Sequence, residues 1–278
     1  MTLTTGMAIR DTILWVDDTG EKDLPVVLCL HSLWLDHTMF VDFVAAAKGK
    51  YRVIYPDFRG QGQSAPSTTD IVTMEDCAAD VEVLIETLGL KGVHVVAQSM
   101  GGDVALRVAA KRPDLIASLT MLGSSARGET AEQLEWVNTW LDSAVKDGGF
   151  RGENLDILYS VMFGETTRMS GKRQEMLDHW RAYMEAGTLR LWPAIRGVIE
   201  RKSAVHLLPS IKQPALVFSG TEDMPRPPSW ADEVMDGLPN ARLQRLEKIG
   251  HSPILEAPEQ VIPLITVFLD SQIYATAV

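Results

Sequence analysis

The chain has 278 residues, of which 46% are hydrophobic, and a formal net charge of −11 at pH 7. Its length predicts one large domain or two small ones, and its composition is typical of a globular protein with a full core. The negative charge argues against nucleic acid or an anionic membrane surface as a partner, because both bind basic patches.

Apolar runs in the chain fall short of the roughly 20 residues that a membrane-spanning helix needs, and residues 1–10 lack the pattern of a secretory signal. The two cysteines, Cys29 and Cys77, lie in an apolar stretch and a helical stretch. Such positions favour buried free thiols over a disulfide, redox or metal role. We therefore expect a soluble protein of a reducing compartment, most simply the cytoplasm.

Patterns typical of strands and helices alternate along the first half of the chain. Short apolar or alternating runs predict strands at 8–16, 25–30, 51–55, 93–96, 116–122, 214–220 and 241–246. Helical spacing of apolar residues predicts helices at 36–47, 74–88, 104–110 and 258–269. The alternation predicts an α/β fold, with a mostly parallel sheet and helices on both of its faces.

Residues 127–206 interrupt this alternation with a mainly helical pattern that is rich in methionine and aromatic residues. We predict a helical cap here, inserted into a core formed by residues 1–126 and 207–278. Most of the aromatic and methionine side chains are expected to pack as core. Together they favour an apolar acyl or aromatic pocket roofed by the insertion.

The run from Val93 to Ala105 places one serine, Ser99, between a predicted strand and a predicted helix. This arrangement is typical of a nucleophile elbow, which holds the serine Oγ clear of the backbone at the carboxyl end of the strand. Side chains two residues to either side would collide in so tight a turn. Those positions are occupied by Ala97 and Gly101, which are small, and we predict that Ser99 is a nucleophile.

A serine hydroxyl needs a general base, and the base needs a carboxylate that orients it. Of the six histidines, His251 follows the last predicted strand, in a loop from which it can reach the carboxyl edge of the sheet. We favour it as the base over a loop histidine without a role. His94 lies inside a strand and is expected to pack there, and His31 ends a strand and is expected to brace a loop.

Two candidate acids, Glu222 and Asp223, follow the predicted strand at 214–220. We favour Asp223, the third residue after Gly220, as the partner of the histidine. Glu222 stays open as the alternative, and a solvated acidic turn is the plain structural interpretation of the pair.

The tetrahedral intermediate of acyl transfer carries an oxyanion that needs two N–H donors. The N–H of Met100 is one candidate, because it follows the serine at a helix N-terminus, where the helix dipole also favours negative charge. The N–H of Leu33, in the loop after the strand at 25–30, is the expected second donor. Trp34 either lines the substrate pocket or packs against the insertion.

Other polar residues of these loops are expected to be structural. Asp57 and Arg59 belong to a glycine-rich loop that locks the sheet edge, and Asp103 meets the dipole of the helix after the serine. The histidines do not occur at the spacing of metal ligands, so we expect neither a metal nor another cofactor.

At this level of detail the chain resembles the serine hydrolases of the α/β-hydrolase fold over nearly its full length. His31-Ser32-Leu33 resembles their His-Gly-X oxyanion loop, residues 57–64 their Asp-X-Arg-Gly-X-Gly-X-Ser loop, and residues 97–101 their elbow. Ser99, Asp223 and His251 follow in the family's chain order. The resemblance implies an eight-stranded, mostly parallel sheet with a helical cap inserted before the acid-bearing strand. Within the family, the chain is most similar to the enol-lactonase, esterase and perhydrolase-like group.

The chain departs from the family pattern at Ser32 and Ala97, where glycine is usual. A serine at position 32 would cost about 1 kcal/mol or more if its φ were positive. Ala97 adds one methyl group and keeps the position small.

We therefore expect an enzyme that hydrolyses a carboxylic ester or lactone of a small, largely apolar molecule through an acyl-enzyme. A first alternative is hydrolysis of a carbon–carbon bond in a ring-cleavage diketone. For that reaction Arg127, Arg151, Arg181 or Arg190 could clamp a substrate carboxylate. A second alternative is a ligand-binding receptor of the same fold.

Overall fold

The computed structural model describes residues 3–187 and 189–274. Its strands are β1 (Leu3–Ile9), β2 (Thr12–Asp18), β3 (Val26–Leu30), β4 (Arg52–Pro56), β5 (Val93–Gln98), β6 (Ile116–Leu122), β7 (Ala215–Gly220) and β8 (Ala241–Leu246). Its α-helices are α1 (Val41–Ala47), α2 (Met74–Thr87), α3 (Met100–Lys111), α4 (Ala131–Lys146), α5 (Gly152–Met162), α6 (Glu165–Met169), α7 (Gln174–Ala186), α8 (Trp192–Ile199), α9 (Pro228–Gly237), α10 (Pro253–Glu256) and α11 (Pro258–Tyr274). Short 3-10 helices cover His37–Phe40, Leu189–Leu191 and Val205–Ser210.

The described strands form one eight-stranded sheet in the order β1-β2-β4-β3-β5-β6-β7-β8. β2 pairs with β1 and with β4 in antiparallel fashion, whereas all the other neighbours are parallel. The predicted α/β fold with a mostly parallel sheet is therefore confirmed.

The prediction of a single early strand at 8–16 is wrong. The structure has a hairpin of β1 and β2, in which Ile9 pairs with Thr12. The chain turns at Arg10, whose φ of 52° lies in the left-handed region that non-glycine residues seldom adopt. Because neither glycine nor asparagine marks this turn, the two strands look like one alternating run in the sequence.

Strands β3, β5 and β7 are buried along almost their whole length, as expected of parallel strands that are covered on both faces. Since β3, β5, β7 and β8 are parallel to one another, their carboxyl ends meet at one edge of the sheet. In α/β sheets of this kind ligands bind outside that edge. The loops that carry the predicted functional residues all leave the sheet there.

Between β6 and β7 the described chain forms helices α4 to α8. The division into a core and a cap stays a prediction. Residues 1–2 and 275–278 of the predicted core, and residue 188 of the predicted cap, lie outside the described residues. In the described part of the chain, no helix has both the length and the apolar character needed to cross a membrane.

Asp57 is fully buried and holds the loop that follows β4. Its carboxylate accepts hydrogen bonds from the backbone N–H of His37 at 2.9 Å, from the Nδ1 of the same residue at 2.8 Å, and from the N–H of Gln63 at 2.7 Å. A Cβ at Gly62, whose φ is 49°, would lie 2.2 Å from the carboxyl carbon of Asp57. Only glycine therefore fits at that position, and the contacts agree with the structural role expected of this loop.

Arg59, the second residue of this loop expected to be structural, forms one buried ion pair and one with an exposed carboxylate. Its guanidinium contacts Asp80 of α2 and Asp11 of the β1–β2 turn. The loop is thereby joined to both neighbouring elements.

The pair of His37 and Asp57 makes the stability of the fold depend on pH. Burial works to lower the pKa of His37, but the hydrogen bond to Asp57 and the charges of Asp57, Asp36 and Asp17 outweigh it and raise that pKa. A group whose pKa rises on folding stabilises the protein fully below its unfolded pKa, and this contribution is lost as the pH rises through the folded pKa.

We therefore expect His37→Asn, which keeps an N–H donor but cannot titrate, to lower the free energy of unfolding by about 1–2 kcal/mol at about pH 6. The deficit should shrink at about pH 9, where wild type has also lost the imidazolium. Urea denaturation of both proteins at the two pH values measures it, and the titrating groups that do not interact with His37 cancel because the proteins share them. An equal deficit at both pH values would contradict the prediction.

Candidate active site

Ser99 lies between the end of β5 and the start of α3, with φ 51° and ψ −113°. The structure thus has the strand, turn and helix that the sequence predicts. This backbone conformation costs a non-glycine residue about 1–3 kcal/mol. It is held in place because the N–H of Ser99 donates to the carbonyl of Leu122 at 2.8 Å and the N–H of Gly102 donates to the carbonyl of Ser99 at 2.9 Å.

Small residues surround this turn because atoms of neighbouring segments are close. A Cβ at Gly101 would lie 2.2 Å from the carbonyl oxygen of Leu30 in β3, and one at Gly102 would lie 2.2 Å from the Oγ of Ser124. Ala97 is completely buried in β5, and its methyl group is accommodated. The elbow therefore requires glycine two residues after the serine and tolerates alanine two residues before it.

The structure brings Ser99, His251 and Asp223 into one chain of contacts. The Nε2 of His251 lies 2.8 Å from the Oγ of Ser99, and its Nδ1 lies 3.0 Å from the Oδ1 and 3.1 Å from the Oδ2 of Asp223. All three residues are at least 96% buried. With the Nδ1 proton donated to the carboxylate, the Nε2 lone pair can accept the hydroxyl proton.

Of the two candidate acids, the structure places Asp223 at the histidine. Its Oδ1 also accepts a hydrogen bond from the backbone N–H of Arg226 at 2.9 Å. Glu222 points elsewhere and accepts hydrogen bonds from the N–H of Thr166 at 2.7 Å and from its Oγ1 at 2.5 Å. The two adjacent carboxylates thus have different partners.

The loop after β3 lies beside the serine and is braced by His31. The Nε2 of His31 accepts from the N–H of Phe58 at 3.0 Å, and its Nδ1 lies 2.8 Å from the carbonyl oxygen of Ser32. Burial lowers the pKa of His31, in keeping with a neutral ring. The positive φ in this loop, 62°, belongs to Trp34, whereas Ser32 is not among the residues with positive φ. The strain considered for Ser32 is therefore absent.

A cavity of about 410 Å³ reaches Ser99 and His251. Its lining is mostly apolar, and most of the apolar side chains come from the segment between β6 and β7. The apolar lining consists of Leu33, Trp34, Trp136, Val137, Trp140, Val161, Met162, Val198, Ile199, Met224 and Pro225. The remaining polar lining consists of Ser32, Glu129, Glu132, Gln133 and Arg226.

Trp34 does both things that the sequence left open, since it lines the cavity and packs against the insertion. Its ring lies 5.9 Å from that of Trp140 and 5.7 Å from that of Phe150. Trp136, which is 50% exposed, stacks on Trp140 at 5.8 Å. One side of the cavity is thus an aromatic wall, which favours flat or apolar groups.

Two polar residues of the cavity lining, Glu129 and Arg226, belong to a buried ionic cluster that the sequence did not reveal. The carboxylate of Glu129 lies 2.7 Å from Arg201 and 2.9 Å from Arg226, and Asp103 lies 3.2 Å from Arg201. Burial raises the pKa of Asp103 and lowers that of Arg226, although the opposite charges counteract both shifts. Asp103 therefore does more than meet a helix dipole, because it balances buried arginines. The one sequence signal was that Arg226 follows Asp223 closely.

The arginines considered as a carboxylate clamp are not where such a clamp is needed. Arg127 pairs with Glu233, Arg181 pairs with Asp156, and Arg190 contacts backbone carbonyl groups of the loop after β4. Neither these three nor Arg151 is among the residues that line the cavity. The structure therefore gives no support to a carboxylate clamp formed by these arginines. Among the described residues, no group of three or more His, Cys, Asp or Glu side chains is arranged to hold a metal ion.

Comparison with known proteins shows similarity to one family over most of the chain. A sequence model described as alpha/beta hydrolase fold matches residues 25–258. A 2-hydroxy-6-oxononadienedioate/2-hydroxy-6-oxononatrienedioate hydrolase from a Pseudomonas species is 26% identical over 276 residues, covering 91% of this chain and 90% of that protein.

Solved structures are similar over almost the whole chain. A thermophilic esterase from Thermogutta terrifontis has a TM-score of 0.83 and 28% identity, covering 98% of this chain and 99% of that one. An enol-lactonase from Burkholderia xenovorans LB400 has a TM-score of 0.85 and 25% identity, covering 95% of this chain and 99% of that one. The predicted likeness to esterases and enol-lactonases is confirmed.

The packing of the elbow predicts unequal costs for two small substitutions. We expect Gly101→Ala to lower the free energy of unfolding by more than about 2 kcal/mol, because its methyl group would meet the backbone of β3. Ala97→Gly should cost only about 1 kcal/mol, the usual effect of glycine within a strand. Urea denaturation measures both, and similar losses in the two variants would be inconsistent with the close approach.

Proposed function

The chain belongs to the alpha/beta hydrolase fold family, and on that premise we propose that it is a serine hydrolase of carboxylic esters or lactones. The observation that carries the proposal is the chain of contacts from Ser99 through His251 to Asp223 beside a largely apolar cavity. A serine hydroxyl, an imidazole and a carboxylate in this order are the parts that acyl transfer needs.

In the proposed reaction, the Oγ of Ser99 attacks the substrate carbonyl while the Nε2 of His251 takes the hydroxyl proton. The tetrahedral intermediate collapses to an acyl-enzyme, and the imidazolium gives its proton to the leaving alcohol. Water, activated by the same nitrogen, then releases the acid and regenerates the serine. Asp223 holds the ring in the tautomer that both steps use and stabilises its positive form.

The oxyanion is proposed to bind the backbone N–H groups of Met100 and Leu33. Met100 is the first residue of α3, so its N–H points out of the helix N-terminus, where the dipole favours negative charge. Leu33 belongs to the loop braced by His31 and lines the cavity beside Ser99. Donors fixed in advance in this way act without reorganisation during the reaction.

The proposed substrate is a small, largely apolar ester or lactone. The apolar cavity lining and the aromatic wall support this, as do the similar esterase and enol-lactonase structures. We propose that residues 127–206 act as a cap, because most of the apolar lining belongs to them. The cytoplasm stays the predicted location, in keeping with the free, buried thiols of Cys29 and Cys77.

Hydrolysis of a carbon–carbon bond is the second candidate, favoured by the similarity to the Pseudomonas dienedioate hydrolase. Its substrate class, as named, carries two carboxylates. In this chain the arginine that lines the cavity, Arg226, is paired with Glu129, and Glu132 adds another negative charge to the lining. Like charges repel in such a site, and we therefore prefer the neutral ester or lactone.

The nucleophile is tested by Ser99→Ala. We expect kcat for a short p-nitrophenyl ester to fall by about 10⁴-fold or more, with the folded state checked by circular dichroism. Ser203→Ala, at an exposed serine, is the matched control and should behave as wild type. Full activity in Ser99→Ala would refute the proposal, and stabilisation by a ligand with negligible turnover in wild type would instead indicate a receptor.

The same assay separates the two adjacent acids. Asp223→Asn should lower kcat by about 10³–10⁴-fold, since the amide no longer holds the required tautomer. Glu222→Gln should stay within a few-fold of wild type, because that carboxylate contacts Thr166 and not His251. The reverse ranking of these two variants would contradict the assignment.

The charge of the substrate is tested with two esters of similar shape. We expect kcat/KM for p-nitrophenyl butyrate to exceed that for mono-p-nitrophenyl succinate by at least about 10-fold, because the succinate adds a carboxylate to an already negative cavity. Glu132→Gln should narrow the difference. Preference for the succinate ester, together with rapid turnover of a ring-fission dienoate, would favour the second candidate.

A further inference from the structure

Glu256, at the end of α10, is a buried carboxylate that the proposed reaction does not use. It is 4% exposed and accepts hydrogen bonds from four donors. Two of them come from the loop that carries His251 and two from the segment between β6 and β7. A buried carboxylate needs such partners, because an unpaired charge in the interior is strongly destabilising.

The first two donors flank His251 in the chain. The Oε2 of Glu256 accepts from the N–H of Gly250 at 3.0 Å, and its Oε1 accepts from the N–H of Ser252 at 2.9 Å. The carboxylate of Glu256 therefore forms hydrogen bonds to the main chain on both sides of His251. The carbonyl of His251 is held as well, by the side-chain amide of Gln98.

The other two donors belong to the start of α6. The Oε2 of Glu256 accepts from the N–H of Gly164 at 2.9 Å and from the Oγ1 of Thr167 at 2.6 Å. The two backbones approach closely at this point, since a Cβ at Gly250 would lie 2.1 Å from the nitrogen of Gly164. The histidine loop and the proposed cap are therefore joined directly through Glu256.

We propose that Glu256 is a positioning residue, which fixes the main chain around His251 and links it to residues 164–167. The inference rests on the proposed function, since it takes His251 to be the general base. Glu256 does not touch the serine or the cavity and acts only through the histidine loop. A displacement of about 1 Å in such a base can cost about 100-fold in rate.

The chemistry of the four donors explains why a carboxylate is needed. Both oxygens of Glu256 are used, and each partner donates. Glutamine offers a single oxygen, and its NH₂ would face N–H groups that also donate. Glu256→Gln keeps the size of the side chain but removes the hydrogen bond to the main chain on one side of His251.

A matched control is available in Glu222. Its carboxylate also binds the start of α6, through Thr166, but it has no hydrogen bond to the residues that flank His251. Glu222→Gln therefore weakens a contact to the same segment without loosening the histidine loop. A difference between the two glutamine variants isolates the effect on the histidine.

The experiment measures kcat and KM for p-nitrophenyl butyrate and the rate at which a fluorophosphonate labels Ser99. For Glu256→Gln we expect kcat and the labelling rate to fall together by about 10–100-fold, with KM changed less than about 3-fold. Glu256→Asp should recover part of both rates. Glu222→Gln should keep both within about 3-fold of wild type.

The proposal is overturned if folded Glu256→Gln matches Glu222→Gln in kcat and labelling, or if only its KM changes. Should Glu256→Gln fail to fold, Thr167→Val removes one donor from the α6 side and should lower both rates clearly more than Glu222→Gln does. No change in that variant would also overturn the proposal. If wild type is not labelled and Ser99→Ala keeps its activity, the proposed function fails, which these measurements distinguish from failure of the inference alone.

Discussion

The conformation of Ser99 is the constraint on which the rest of the site depends. Its positive φ turns the chain from β5 into α3 within one residue, and the backbone of β3 passes so close that Gly101 has no room for a side chain. This turn places the Oγ within reach of His251 and starts α3 directly after the serine. The positions of the proposed nucleophile and of the proposed oxyanion donor are therefore set by a single backbone feature.

Three carboxylates near this turn have different tasks because their hydrogen-bond partners differ. Asp223 faces the imidazole, Glu222 faces Thr166, and Glu256 faces backbone N–H groups on both sides of His251. The chemistry of the side chains is nearly the same, so the position of each donor decides which carboxylate faces the imidazole. The histidine is thereby held both at its ring and at its main chain.

Features of the fold and of the candidate site that depend only on neighbouring residues could be predicted from the sequence. The apolar runs, the small residues around Ser99 and the strand-end positions of Asp223 and His251 depend on neighbours in the chain, and the structure has them as expected. The β1–β2 hairpin was missed because Arg10 turns without the usual residues. Strain was considered at Ser32, but the positive φ of this loop occurs at Trp34, a position that no local sequence pattern marks.

Contacts between distant parts of the chain could not be predicted, because sequence patterns describe only neighbouring residues. The cluster of Glu129, Arg201, Arg226 and Asp103 joins residues that are far apart in sequence, and only the closeness of Arg226 to Asp223 gave any sign of it. Likewise, nothing in the sequence around Glu256 indicates that Gly164 and Thr167 lie beside it. Such pairs form only because the segment between β6 and β7 packs against the rest of the fold, which only the structure shows.

The ionic cluster also bears on which molecules the cavity accepts. A free arginine at Arg226 would attract a carboxylate, but Glu129 neutralises it at 2.9 Å, and Asp103 lies 3.9 Å away. Breaking such a buried pair to bind an anion would leave Glu129 without one of its two partners, at a cost of about 3–5 kcal/mol. The cavity therefore presents an aromatic wall and a balanced ionic cluster, and both support the proposal of a neutral acyl group. Similarity to a dienedioate hydrolase at 26% identity therefore need not extend to the substrate.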